Sequence, residues 1–250
     1  MTVEQHLTSY LPSPSLVTVV ILDDSHKLAA RRQAVAAISP HSTQAPRATE
    51  GTRMTLDETR QLWDQVASTY DDERDHGLLD PHIRRAWQEL LVEVIGSNPT
   101  RIADLGSGTG TLAVLLAALG HRVTGLDLSP AMVDRARDKA TKGGINVDFV
   151  LGDASKPQLP PGQFDVVLAR HVLWAMPDPA DTLDHWIQLL TPNGHLVLIE
   201  GFNAGGGIHA TFLSELLEQR VSTMTLTHMP ERIYWGREIT DERYLISAHR

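Results

Sequence analysis

From Leu56 onward, the apolar positions of this chain fall into two alternating rhythms. Leu56 to Ser68 carries helical spacing, and Asp80-Pro81 opens a second helix that runs to about Ile95, with the proline in its first turn. Short apolar runs then read as buried strands at Thr100–Leu105, His121–Asp127, Asn146–Gly152, Phe164–Ala169 and His195–Glu200. Helical segments lie among them at Thr109–Leu119, Ser129–Thr141 and Ala180–Leu190; Ser129 and Pro130 supply a cap and first turn. Alternation at this spacing predicts an α/β fold with a doubly wound, mostly parallel sheet. The rhythm breaks after a helix near Ala210–Val221. Two strand-like runs follow, Thr223–Thr227 and Arg243–Ala248, joined by about 15 residues without a helical pattern. They predict an antiparallel hairpin at the sheet edge and bring the strands to seven.

Residues 1–53 look different. They hold one strand-like run, Val17 to Leu22, one candidate helix, Leu28 to Ile38, and a Ser-Pro-His-Ser-Thr-Gln-Ala-Pro linker composition. Neither element has enough apolar surface for a core. The expected division is therefore an extension over 1–53, either flexible or upstream of a true start at Met54, followed by one domain over 54–250. Within that domain, 54–97 form N-terminal cap helices and 98–250 the core.

Composition narrows the chemistry. The 250 residues contain no cysteine, which excludes disulfides, thiolate metal sites and cysteine nucleophiles. The net charge of −9 removes the basic footprint that phosphate backbones require, so nucleic acid and anionic membranes are not expected partners. The apolar stretch Leu16 to Leu22 falls far short of the roughly 20 residues that span a bilayer. No basic cluster precedes it, and Asp23-Asp24 follow, so it does not read as a signal peptide. A cytoplasmic protein is expected. The twelve histidines show no zinc or iron spacing, and no Gly-x-Ser-x-Gly elbow is present.

The candidate chemistry starts at residues 101–110, Arg-Ile-Ala-Asp-Leu-Gly-Ser-Gly-Thr-Gly. A strand, a glycine turn and a helix in that order bring backbone N–H groups and a helix N-terminus to a ligand. The dinucleotide fingerprint Gly-x-Gly-x-x-Gly is not matched, because the third glycine comes one residue early. Asp104, at the strand end, would repel a pyrophosphate but attract an ammonium group. Asp-Leu-Gly-Ser-Gly-Thr-Gly resembles the first motif of class I S-adenosylmethionine-dependent methyltransferases of the small-molecule type. That resemblance implies a Rossmann-like fold, S-adenosylmethionine as cofactor with S-adenosylhomocysteine as product, and methyl transfer by direct displacement to a small-molecule acceptor. It also implies cofactor contacts at Asp104, Gly106, Ser107, Gly108 and Gly110.

Further positions fall in register with it. Asp127 ends the second strand, where a carboxylate accepts from both ribose hydroxyls of an adenosine ligand. Leu128 follows it, and Met132, one turn into the next helix, is either an adenine contact or a core methionine. Gly152-Asp153-Ala154 ends the third strand; in the family it resembles, the acidic side chain accepts from the adenine amino group and the next N–H faces the ring. Arg170 follows the fourth strand, and Tyr70, in Leu62-Trp63-Asp64-Gln65-Val66-Ala67-Ser68-Thr69-Tyr70-Asp71, resembles the aromatic that closes over the methionine end.

Methyl transfer needs alignment first, and a base only if the acceptor carries a proton. His171, just past the fourth strand, is the first candidate base and a candidate pocket residue; Trp174 lines either the pocket or the core. His76, beside Asp75, and His209, after Gly205-Gly206-Gly207, are weaker candidates. A cofactor-binding subunit without catalysis and a nicotinamide-dependent oxidoreductase remain as alternatives. The acceptor, the atom methylated and the oligomeric state, a homodimer included, stay open.

Overall fold

The computed structural model describes residues 16–19, 54–203 and 205–250; the candidate helix Leu28–Ile38 and the linker lie outside them. In chain order the strands are β1 (Leu16–Val19), β2 (Arg101–Leu105), β3 (Arg122–Asp127), β4 (Asp148–Leu151), β5 (Phe164–Arg170), β6 (Leu190–Asn203), β7 (Gly206–Gly207), β8 (Thr223–His228) and β9 (Glu242–His249). The helices are α1 (Leu56–Val66), α2 (Arg74–Gly77), α3 (Pro81–Ile95), α4 (Thr111–Ala118), α5 (Pro130–Gly143), α6 (Pro179–Leu189), α7 (Ala210–Glu218) and α8 (Arg232–Trp235). Their starts follow local chemistry. Thr55 and Glu58 close a capping box on α1, while Asp80, Ser129 and Asp178 cap helices that carry proline in the first turn.

One sheet runs in the order β1-β8-β9-β6-β5-β2-β3-β4, with β7 beside β6. Strands β4, β3, β2, β5 and β6 are parallel, and β9 enters antiparallel between β6 and β8. The expected seven-stranded, mostly parallel sheet is thus present, with β1 and β7 as short additions. The late hairpin does not end the sheet, because β1 pairs antiparallel with β8 along Leu16–Val19. Strand order reverses between β2 and β5, and that reversal opens the crevice in which ligands of such sheets sit.

Strand side chains alternate between two packed faces. Ile102, Val166, Leu168, Val197, Ile199 and Leu245 pack with α3, α4 and α5. Ala103, Leu105, Val167, Leu196, Leu198, Tyr244 and Ile246 pack with α6 and α7. Trp87, Trp186 and Trp235 are fully buried, and each donates its indole N–H to a backbone carbonyl: Tyr234 at 2.8 Å, Ala154 at 2.7 Å and Met229 at 2.8 Å. Two departures from the sequence pattern have local causes. Strand β6 begins at Leu190 because a bulge opposite Phe164/Val166 absorbs residues 191–194. Helix α8 is a single turn, too short to show a period, and is held by Trp235 against Trp87 at 5.6 Å between ring centroids. Among the described residues no helix is long and apolar enough to cross a membrane.

Trp186→Phe should keep the packing of α6 but orphan the buried Ala154 carbonyl. A loss of about 1–3 kcal/mol in urea unfolding is expected.

Candidate active site

The turn from β2 to α4 lies at the reversal point and is sewn to the end of β3. The N–H groups of Gly106 and Ser107 both donate to Leu126 O, at 2.7 and 2.9 Å, and Gly108 N–H donates to Asp127 Oδ2 at 2.7 Å. Gly106, Gly108 and Gly110 have φ of 68°, 54° and 73°. A Cβ on Gly106 would come within 2.5 Å of Val172, and one on Gly110 within 2.6 Å of the Phe149 ring. Glycine is therefore required twice over at these two positions, by backbone conformation and by space. At Gly108 the nearest neighbour is the Tyr70 ring, so that aromatic stands directly over the turn.

Asp104 and Asp127 end adjacent strands, both buried. Asp127 accepts from Gly108 and Ser129 N–H groups, the latter at 2.9 Å, while burial pushes its pKa up against those bonds. Asp104 is less satisfied. Its Oδ2 is buried with no partner among the described residues, and burial raises its pKa to about 7, the Arg170 charge opposing. Arg170 in turn donates to Asp75 O at 2.6 Å and lies over the Trp87 ring at 5.1 Å.

Tyr70 lies in a 3-10 turn over 70–72, stacked on His76 with centroids 4.2 Å apart. Its segment is fastened to the glycine turn. Lys139 Nζ donates to Asp71 Oδ1 at 3.1 Å, to Thr109 at 3.0 Å and to Thr111 at 2.6 Å, while Thr109 also donates to Asp71. A second clasp lies one helix back, where Asp64 Oδ1 accepts from the Ser129 hydroxyl and from Ala131 N–H at 3.1 Å. Met132 is fully buried, one turn into α5. Asp153 accepts from Ser155 N–H and Oγ, both at 2.8 Å, which makes it the hinge of a local turn; Ala154 beside it is buried.

Beyond β5 the chain turns sharply. His171 takes φ of 58°, a left-handed conformation uncommon for a residue with a side chain. The turn is held from inside by Glu200, whose Oε1 accepts from Val172 at 2.9 Å and Leu173 at 2.7 Å, with Trp174 N–H adding a third bond. Glu200 is fully buried, and desolvation raises its pKa to about 8. His171 Nε2 is shielded and unpartnered among the described residues, and burial together with the Arg170 and Arg243 charges holds its imidazole well below the usual range.

This geometry matches a known family. The family model described as "Methyltransferase domain" covers residues 103–198, from the end of β2 through β6, and so contains the glycine turn, Asp127, Asp153 and His171. The chain belongs to the class I S-adenosylmethionine-dependent methyltransferases. That family implies S-adenosylmethionine as cosubstrate. Over 123 residues the chain is 39% identical to a trans-aconitate 2-methyltransferase of Streptomyces coelicolor, covering 47% of this chain and 40% of that protein. Over 162 residues it is 30% identical to a demethylmenaquinone methyltransferase of Renibacterium salmoninarum, covering 64% and 66%. The chain spans about half the length of the curated relatives it matches. Among solved structures, the cyclase SpnF superposes with a TM-score of 0.64 at 19% identity, over 82% of this chain and 99% of that one. Magnesium protoporphyrin IX methyltransferase from Synechocystis superposes with 0.54 at 20%, over 81% and 87%. Both likenesses concern the fold.

The structure thus gathers Tyr70, Asp104, the three glycines, Asp127, Arg170 and His171 at the carboxyl edge of the sheet, with Asp153 and Ala154 at the end of β4. It adds members that the sequence reading did not assign. Asp64 and Asp71 gave no local signal, since their partners lie 65 and 38 residues away. Lys139 follows Met132 by seven positions on α5, so helical spacing already put the two on one face. Glu200 had the clearest sign, a carboxylate ending an apolar strand as Asp104 and Asp127 do.

Glu200→Gln keeps an oxygen for the N–H groups and removes the ionisable proton. From about pH 5 to 8 the folded wild type holds a proton that the unfolded chain has lost, so its stability falls as pH rises through that window. In urea unfolding the variant should gain on wild type by up to about 1.4 kcal/mol per pH unit across it.

Proposed function

We propose that this protein transfers a methyl group from S-adenosylmethionine to a small-molecule acceptor by direct displacement. The observation that carries the reading is Asp104: a buried carboxylate with an oxygen left unpartnered, beside a glycine turn in which a Cβ on Gly106 or Gly110 would strike Val172 or Phe149. That oxygen fits the ammonium of a methionine moiety and would repel a pyrophosphate. Gly106, Ser107, Gly108 and Gly110 let the backbone approach the ligand. Asp127 then takes the ribose hydroxyls; Leu128, Met132, Asp153 and Ala154 surround the adenine; Arg170 and Tyr70 border the methionine end.

When bound, the cosubstrate supplies an electrophilic methyl group on a sulfonium. The rest of the rate falls to positioning, worth roughly 7–11 kcal/mol where two reactants are held in line. The clasps Asp71–Lys139 and Asp64–Ser129 hold Tyr70 and α1 over the glycine turn and exclude water from it. His171 and Trp174 then line the acceptor side. His171 serves there as a neutral wall, because a proton placed on it would sit beside Arg170 and Arg243 in a site closed to solvent. Demethylmenaquinone and trans-aconitate, named for the relatives, are the first acceptors to try.

Calorimetry should show S-adenosylhomocysteine bound and NAD not bound; NAD binding in its place overturns the reading. Asp127→Ala should weaken S-adenosylhomocysteine by about 1.5–3 kcal/mol. Its affinity in wild type should fall about tenfold per unit as pH drops below 7, since Asp104 must then lose a proton to meet the ammonium, and should level off above 7. Asp104→Asn should bind weakly and with no such slope. Binding without methyl transfer to any metabolite would identify a cofactor-binding subunit instead.

A further inference from the structure

His209 lies outside the set that holds the cosubstrate, yet its surroundings are built. It precedes α7 without using its side chain as a cap. Its Nδ1 lies 2.9 Å from Oε2 of Glu242, and the other oxygen of that carboxylate takes Ala210 N–H at 3.4 Å. The imidazole stacks on Phe202 with centroids 3.6 Å apart. Carboxylate and aromatic ring thus hold the imidazole plane, while 46% of the side chain stays exposed.

Topology puts this pair at the reacting edge. Glu242 starts β9 opposite Phe202, so the pair stands at the carboxyl end of β6, one strand from His171 at the end of β5. Trp174 lies between the two segments. Trp174 donates its indole N–H to His171 O at 3.0 Å, and the Trp174 ring meets the space above Gly206 in the loop that leads to His209. The two ring environments are opposite. His171 Nε2 is shielded, and burial with the Arg170 and Arg243 charges disfavours a proton there; His209 is open to solvent, with a carboxylate oxygen 2.9 Å from its Nδ1.

Resting on the methyl-transfer reading, we propose that His209, oriented by Glu242, is the proton acceptor of the reaction, so that the methyl-accepting group is a hydroxyl or an acidic carbon rather than a carboxylate. Glu242 accepts the Nδ1 proton and fixes the tautomer in which Nε2 carries the lone pair. As the acceptor atom bonds to the methyl group, the S–CH3 bond breaks with its electron pair left on sulfur. The acceptor's proton passes to His209 Nε2. The products are the methylated acceptor, S-adenosylhomocysteine and an imidazolium that returns its proton to solvent. A carboxylate acceptor has no proton to give, and the Glu242 carboxylate held against His209 would repel it.

Two measurements on the full chain test this. Long-range proton–nitrogen spectra of the S-adenosylhomocysteine complex, with His209 assigned by its loss in His209→Gln, should show Nδ1 protonated and Nε2 bare. Glu242→Gln should mix the tautomers. The opposite tautomer in wild type overturns the proposal. With tritiated S-adenosylmethionine, label should pass to demethylmenaquinone in its reduced hydroquinone form and not to trans-aconitate. His209→Gln should lower that turnover about 100-fold or more while binding S-adenosylhomocysteine as wild type does. Transfer to trans-aconitate alone, or wild-type turnover in His209→Gln, overturns the proposal; if neither compound is methylated, the tautomer decides. Failure of wild type to bind S-adenosylhomocysteine would instead refute the methyl-transfer reading itself.

Discussion

Three carboxylates, Asp104, Asp127 and Glu200, lie buried toward the carboxyl ends of strands β2, β3 and β6, and the site depends on how each is compensated. A buried carboxylate is costly unless hydrogen bonds or charge meet it. Asp127 and Glu200 meet backbone N–H groups from neighbouring turns, so their cost is offset by fixing the glycine turn and the turn after β5. Asp104 and Glu200 each keep one buried oxygen unmet among the described residues; that of Asp104 lies beside the glycine turn, where the proposed reading puts a cationic group. Strand order supplies the rest. Because β2 and β5 are neighbours that run on to opposite sides, their loops part, and Asp104 and Asp127 lie beside the crevice that opens there.

Much of this was legible from residue pattern. Short apolar runs gave β2, β3, β4 and β5 to within two residues at each end, because strands buried on both faces are continuous apolar runs between turn residues, whereas β6 extends past its expected limits at both ends. Capping residues gave the starts of α3 and α5. The glycine turn was legible because only glycine tolerates both its φ values and its neighbours, so its spacing is written directly into the sequence. What the pattern did not show was contact across the fold. Asp64 looks like any polar residue on an amphipathic helix until Ser129 is brought to it. Helix α8 has one turn and no period to detect. His171 looked like an available base from its place in the chain; what that place did not show is the burial that, with the Arg170 and Arg243 charges, holds its imidazole well below the usual range.

The same architecture in the cyclase SpnF marks the division between fold and chemistry. The sheet and the glycine turn define where an adenosine ligand can lie, and they are set by the alternation of strands and helices. The reacting edge is set instead by segments with little regular structure: the turn at 171–175, the loop around Gly206 and the start of β9. On the methyl-transfer reading proposed above, acceptor specificity resides in those segments, so it can change while the cofactor half stays as it is.

The position of β1 bears on how the chain behaves in solution. Leu16–Val19 pair along Met224–Thr227 of β8, so the main-chain donors and acceptors on that stretch of β8 are met by β1. A chain begun at Met54 would keep every residue of the site and lose that strand. The bared flank of β8 would be an unsatisfied ladder alternating Thr and apolar residues, open to any extended segment nearby, including the same flank of another copy. Residues far from the chemistry would then govern whether the protein stays dispersed at high concentration.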